Sequence, residues 1–119
     1  MKKVAVIGSR LYGRPESVRN YVLNLERDTI IVSGGAPGVD TWAENTAKDA
    51  GMATIIIRPA WGVHGKSAGF IRNQLIVDIA DEVVAFWDGS SPGTENTIEL
   101  AKKAGKLKLF HKEDGKQIE

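Results

Sequence analysis

Three apolar runs in this chain each end directly in a loop of glycine and small polar residues. Val4-Ala5-Val6-Ile7 enters Gly8-Ser9-Arg10, and Ile30-Ile31-Val32 enters the loop from Ser33 to Asp40. Val83-Val84-Ala85-Phe86-Trp87 enters the loop from Asp88 to Thr94. Short, continuous, β-branched runs predict strands buried on both faces. A helix opening after such a loop aims backbone N–H groups, at the positive end of its dipole, toward the loop. One such loop often makes only a turn. Three at corresponding places predict a surface built to hold an anion, the phosphates of a nucleotide-like molecule above all.

The rest of the chain alternates in the same way. Residues 3–8 predict a first strand, and a helix follows from about Pro15 to Arg27 with Val18, Tyr21, Val22 and Leu25 on one face. A second strand over 29–32 leads to a helix from Gly38 to Ala50 that buries Val39, Ala43, Ala47 and Ala50. Met52–Ile57 is a third strand, and a connection through Ala60–Lys66 reaches a helix from Ser67 to Ala80 with an apolar stripe of Ala68, Ile71, Leu75 and Ile79. A fourth strand over 82–87, a fourth helix over 92–104 with Ile98 and Ala101 inward, and a short strand over 107–110 complete the pattern. The polar residues from Lys112 to Glu119 are expected to fray. Alternation of this kind predicts an α/β fold: a Rossmann-like three-layer αβα sandwich on a five-stranded, mainly parallel sheet. The doubly wound order 3-2-1-4-5 places the three glycine-rich loops after neighbouring strands, around one crevice at the switch point.

Composition excludes several classes. At 119 residues the chain reads as one domain, 1–119, and its formal net charge of +1 lacks the basic field that drives non-specific nucleic-acid binding. No apolar run approaches the roughly 20 residues that span a bilayer. The absence of cysteine removes disulfides, zinc–thiolate sites and thiol chemistry; together these features favour the cytoplasm. His64 and His111 stand far apart with no ligand spacing around either, so no metal site is expected; His111 reads as a surface residue, and His64 as a surface residue or one facing the ligand from its loop. The first loop is not G-x-G-x-x-G, and Ser33 stands where a dinucleotide-binding strand would end in an acid. Gly65-Lys66-Ser67 lacks the leading glycine of a Walker A loop, Ala60 standing in its place. No Gly-x-Ser-x-Gly elbow is present. No cofactor is expected.

Single residues carry two readings each. Arg72, in a helix on the crevice side, is ordinarily a solvated arginine, yet its planar fork suits phosphate or carboxylate, and Asn73 beside it offers an amide for a base or sugar. Asp40 is a plain helix N-terminal acid or an acceptor for sugar hydroxyls. Trp42 and Trp87 read as core, whereas Trp61, between Pro59 and Gly62, is the tryptophan expected at the surface.

The series Val-Ala-Val-Ile-Gly-Ser-Arg, Val-Ser-Gly-Gly-Ala-Pro-Gly-Val-Asp, Arg-Pro-Ala-Trp, Lys-Ser-Ala-Gly-Phe-Ile-Arg-Asn and Val-Val-Ala-Phe-Trp-Asp-Gly-Ser-Ser-Pro-Gly-Thr resembles the SLOG superfamily. That superfamily groups DprA (Smf) proteins, LOG enzymes and small nucleotide-binding relatives; the compact, YspA-like single-domain branch looks most similar. The resemblance covers about residues 3–110 and implies a Rossmann-like fold with a site for nucleotide-derived ligands. LOG enzymes hydrolyse nucleoside monophosphates between base and ribose 5′-phosphate, using a helix arginine and a Gly-Gly-x-Gly-Thr-x-x-Glu loop. Arg72 looks like that arginine, and Gly93 and Thr94 match the loop. Thr97 stands at the glutamate position, with Glu95 and Glu99 near but out of alignment. One residue turns a helix by about 100 degrees, so neither replaces the acid automatically.

Three functions follow as alternatives. The first is a module that binds a nucleotide or ADP-ribose-like ligand, as a sensor or for sequestration. Its site would comprise Gly8, Ser9 and Arg10; Ser33, Gly34, Gly35, Gly38 and Asp40; Arg72 and Asn73; and Ser91, Gly93 and Thr94. The second is a LOG-like hydrolase with Arg72 and Glu95 as catalytic residues, Asp88 being the other stand-in for the missing acid. The third is a DprA-like nucleic-acid-binding module, against which the near-neutral charge argues. No membrane partner is expected, and the resemblance suggests a homodimer.

Overall fold

The computed structural model describes residues 1–110, so the readings of His111 and of the polar end over 112–119 lie outside the described residues. Five parallel strands form one sheet in the order β3-β2-β1-β4-β5: β1 (Lys3–Gly8), β2 (Ile30–Ser33), β3 (Thr54–Ile56), β4 (Glu82–Phe86) and β5 (Leu107–Phe110). The helices are α1 (Pro15–Leu23), α2 (Val39–Asp49), the short α3 (Trp61–His64), α4 (Ala68–Ile79) and α5 (Pro92–Lys103); a 3-10 turn over Gly65–Ser67 joins α3 to α4. The fold is the Rossmann-like α/β architecture that the alternation predicts. Among the described residues no helix is long and apolar enough to cross a membrane.

The continuous apolar runs follow from a sheet covered on both faces. Alternate residues of β1 and β4 point to opposite layers: Val4, Val6, Val84 and Phe86 join one core with Val18, Val22, Val39 and Ala43 of α1 and α2. Ala5, Ile7, Val83 and Ala85 join the other with Ile76, Val77, Ile98 and Ala101 of α4 and α5. Each buried valine or isoleucine contributes about 1.5–3 kcal/mol, so the two clusters together carry the fold.

Two local readings are corrected. Helix α1 stops at Leu23, four residues before Arg27. The Asn24 side-chain amide donates to the Asn20 carbonyl (2.8 Å), and Arg27 donates to the carbonyls of Leu23 (2.9 Å) and Leu25 (3.0 Å), closing the helix end. In α4 the predicted stripe is the wrong face. Of its members only Ala68 is buried, while Ile71, Leu75 and Ile79 are exposed and Asn73, Ile76 and Val77 face inward. Apolar residues and the polar Arg72, Asn73, Gln74 and Asp78 are both spread around the helix, so periodicity offers no preferred phase. The observed rotation buries Ile76 and Val77 in the core and lets Asn73 donate to the Asn96 side chain (3.0 Å) and the Gly93 carbonyl (3.3 Å) on α5.

Candidate functional site

The C-terminal ends of β2, β1 and β4 bring the three loops side by side, and hydrogen bonds between them make one unit. Asp40, at the start of α2, is almost fully buried. Its carboxylate accepts the backbone N–H groups of Gly34 (2.9 Å), Gly8 (3.3 Å) and Ala36 (3.4 Å), tying the first loop to the second. Ser9 ties the first loop to the third: its hydroxyl accepts the Asp88 N–H (3.0 Å), and its own N–H donates to the Phe86 carbonyl (3.1 Å). Tyr12 closes the first loop from beneath, buried edge-on against Phe86.

Glycine serves this clasp by permitting close approach. At Gly8 a Cβ would lie 2.3 Å from the Phe86 carbonyl oxygen and 2.8 Å from a Val39 methyl. At Gly38, where φ is +87°, a Cβ would meet the Arg10 backbone at 2.7 Å. At Gly34 it would intrude between Arg72 Nη1 (2.6 Å) and Asp40 Oδ2 (2.9 Å). Part of the glycine signal therefore reports packing of loop on loop.

From the other layer, α4 reaches in with Arg72, which donates from Nη1 to the Gly34 carbonyl (2.6 Å) and from Nε to the Asn73 side-chain oxygen (2.9 Å). Burial lowers the pKa of Arg72, and the neighbouring Asp40 carboxylate opposes that lowering. The third loop is shaped by Asp88, whose carboxylate accepts the N–H groups of Ser90 (2.9 Å) and Ser91 (3.0 Å) and both their hydroxyls. Burial pushes the pKa of Asp88 up, but these bonds and the Ser9 hydroxyl outweigh it and hold the group at about 2.

Two adjoining cavities result, each of about 340 Å³. The first gathers Gly8, Ser9 and Arg10 from the first loop, Asp40 from α2, Arg72 and Asn73 from α4, and Ser91, Gly93 and Thr94 from the start of α5. Ile7, Ala36, Pro92 and Thr97, absent from the sequence-based site, complete it. Gly34 and Gly35 line the second cavity with Arg10 and Arg72, joined by Pro37, Arg58, Pro59 and Trp61. Ser33 and Gly38 line neither. Ser33 is fully buried, donating its hydroxyl to the buried Glu44, and Gly38 lies against the Arg10 backbone. Glu95 is exposed and also lines neither cavity. Thr97, at the position of the LOG glutamate, faces the first cavity and donates to the Gly93 carbonyl (3.3 Å). Arg58 and Trp61 had one legible signal, the Arg-Pro-Ala-Trp segment; only the fold brings it beside the second loop.

The first cavity can hold an anion. Pro92 contributes no N–H at the first turn of α5, so Gly93 and Thr94 supply N–H groups that have no intrahelical acceptor. Arg72 and Arg10 add positive charge on the facing wall. The one carboxylate among its lining residues, Asp40, is already engaged by the three N–H groups.

A family model for DNA recombination-mediator protein A matches residues 1–63. Among solved structures, DNA processing protein A (DprA) of Streptococcus pneumoniae is similar with a TM-score of 0.77 at 26% identity, over 93% of this chain and 50% of that chain. DNA processing protein A of Helicobacter pylori, described for its single-stranded DNA binding mode, gives 0.67 at 27% identity, over 92% of this chain and 64% of that one. The present chain thus spans half to two-thirds of the length of these relatives. A structural-genomics target, TM1055, shares the fold with a TM-score of 0.69 at 23% identity, over 98% of this chain and 76% of that chain. No curated protein sequence matches the chain.

Proposed function

The chain belongs to the DNA recombination-mediator protein A family, within the SLOG superfamily, and from that premise we propose that its first cavity binds the phosphate of a nucleotide-derived ligand. The observation that carries this reading is the convergence of Arg72, Arg10 and the N-terminus of α5 on one cavity at the switch point of the sheet. Binding is favoured over LOG-like hydrolysis by the acids. Glu95 is exposed and outside the cavity, Asp88 is spent on its own loop, and Asp40 on the loop clasp.

A second reading, single-stranded nucleic acid as ligand, has specific support. The formal net charge of +1 argued against it, but net charge averages over the whole surface. Arg10, Arg58 and Arg72 converge on the second cavity, which no carboxylate lines, and the Helicobacter pylori relative is described as binding single-stranded DNA. The near-neutral net charge therefore does not count against nucleic acid as a partner.

One experiment weighs both. Calorimetric titration with nucleoside monophosphates is compared with fluorescence anisotropy of a labelled oligothymidylate at rising salt. Arg72→Ala is expected to weaken the true ligand by about 2 kcal/mol, roughly thirtyfold. Saturable mononucleotide binding supports the first reading. Oligonucleotide binding that falls steeply with salt, without mononucleotide binding, supports the second. An unchanged affinity in Arg72→Ala removes that residue from the site under either.

The exposed stripe of α4 supports a homodimer. Phe70, Ile71, Leu75 and Ile79 form an apolar face beside the site that the fold leaves uncovered. Leu75→Glu is expected to shift the chain to monomer in sedimentation velocity while leaving its circular dichroism intact.

A further inference from the structure

The second cavity is lined by a large aromatic side chain that stands mostly uncovered. Trp61 is 59% exposed, and its Cη2 edge lies toward the first turn of α4, where a Cβ added to Gly69 would come within 3.6 Å of it. Pro59, Pro37, Arg58, Arg10 and Arg72 line the cavity with it. Arg58 is braced against the second loop by a hydrogen bond to the Gly35 carbonyl (3.3 Å). An exposed indole, two prolines and three guanidinium groups, with no acid among them, form a surface for a flat, electron-rich ring attached to an anion. Arg10 and Arg72 line both cavities, so a ligand whose phosphate sits in the first can extend its ring into the second.

We infer that the second cavity is a nucleobase subsite, with Trp61 as the stacking platform and Arg58 as a flanking donor, so that the ligand is a base-bearing nucleotide and not a bare sugar phosphate. This rests on the reading of the first cavity as a phosphate site. The binding of adenosine 5′-monophosphate, ribose 5-phosphate and adenosine to the native chain, Trp61→Ala and Trp61→Phe separates the two. Native protein is expected to bind the nucleotide about tenfold more tightly than ribose 5-phosphate. Trp61→Ala reduces that preference to about twofold or less, while Trp61→Phe, which keeps an aromatic face, retains most of it. A native preference absent from the start, or one that survives Trp61→Ala, overturns the subsite. If ribose 5-phosphate fails to bind but nucleotide and adenosine bind in a Trp61-dependent way, the subsite stands and the phosphate reading falls. If none of the three binds, both fall.

Discussion

Gly8→Ala is expected to destabilise the protein by about 3 kcal/mol or more, although it adds a single methyl group. Gly8 pairs with Phe86 at the end of the β1–β4 ladder, and the new Cβ would lie 2.3 Å from the Phe86 carbonyl oxygen. That oxygen belongs to backbone and already accepts the Ser9 N–H, so it cannot swing aside as a flexible side chain would. Phe86 is itself fixed, fully buried and stacked on Phe110 with ring centroids 4.8 Å apart. On the other side, the Val39 side chain at 2.8 Å blocks retreat toward α2. Relief requires prising β4 from β1, which also parts the first loop from the third. Gly93→Ala provides the contrast, because nothing lies within 4 Å of the added atom. Its effect on stability is expected to stay within about 0.5 kcal/mol. Urea unfolding of the two variants measures the difference, and equal midpoints would contradict the close approach.

Asp40 is expected to make the protein less stable as pH rises from about 4 to above 6. Burial pushes its carboxyl up to about 6, against the pull of the Gly34, Ala36 and Gly8 N–H groups and of Arg72. In the unfolded chain the group ionises near its ordinary value of about 3.9. The folded state therefore binds the extra proton between those values. Its favourable contribution is complete below about pH 4 and is lost as pH rises through 6, by about 3 kcal/mol in all. Asp88 has the opposite sign: its depressed pKa makes its contribution fade only as pH falls below about 4 toward 2. Partial burial raises the pKa of Glu82, but Lys108 and Lys2 outweigh it and lower it, so Glu82 shares the sign of Asp88. The Asp40 contribution is therefore read on the alkaline side, between about pH 5.5 and 7. Asp40→Asn, which cannot ionise, is expected to flatten the slope of urea midpoint against pH. A native curve already flat in that window would mean that the carboxylate is not desolvated.

Asp40 also shows how the site was legible. The sequence places an acid next to Gly38 at the start of a helix, and two roles were open for it. The fold adds a third party, the N–H of Gly8 thirty-two residues away, and the acid becomes the link between loops. Arg72 was legible as a crevice arginine through its neighbours in the chain, whereas its seat on the Gly34 carbonyl depends on how α4 is turned. The turn of α4 is what the sequence concealed. Apolar and polar residues both spread around the helix gave no phase, and the stripe through Ile71, Leu75 and Ile79 proved to face outward. Trp61 was expected at the surface and lies there. Its company of Arg58, Pro37 and Arg10 comes from three separate segments.

By itself the sequence determined the α/β class, the strand order and the gathering of the three glycine-rich loops at the ends of β2, β1 and β4. These follow from local signals: β-branched runs too apolar for a one-sided sheet, and loops whose residues suit a helix start. Only the tertiary structure decided what each loop residue does. Packing made Gly8 and Gly38, both expected in the ligand site, points of close backbone approach, with only Gly8 also lining a cavity, and burial made Asp40 a clasp. It also divided the crevice into two cavities that meet at Arg10 and Arg72. Such roles depend on distances between segments far apart in the chain, and periodicity carries no information about those distances.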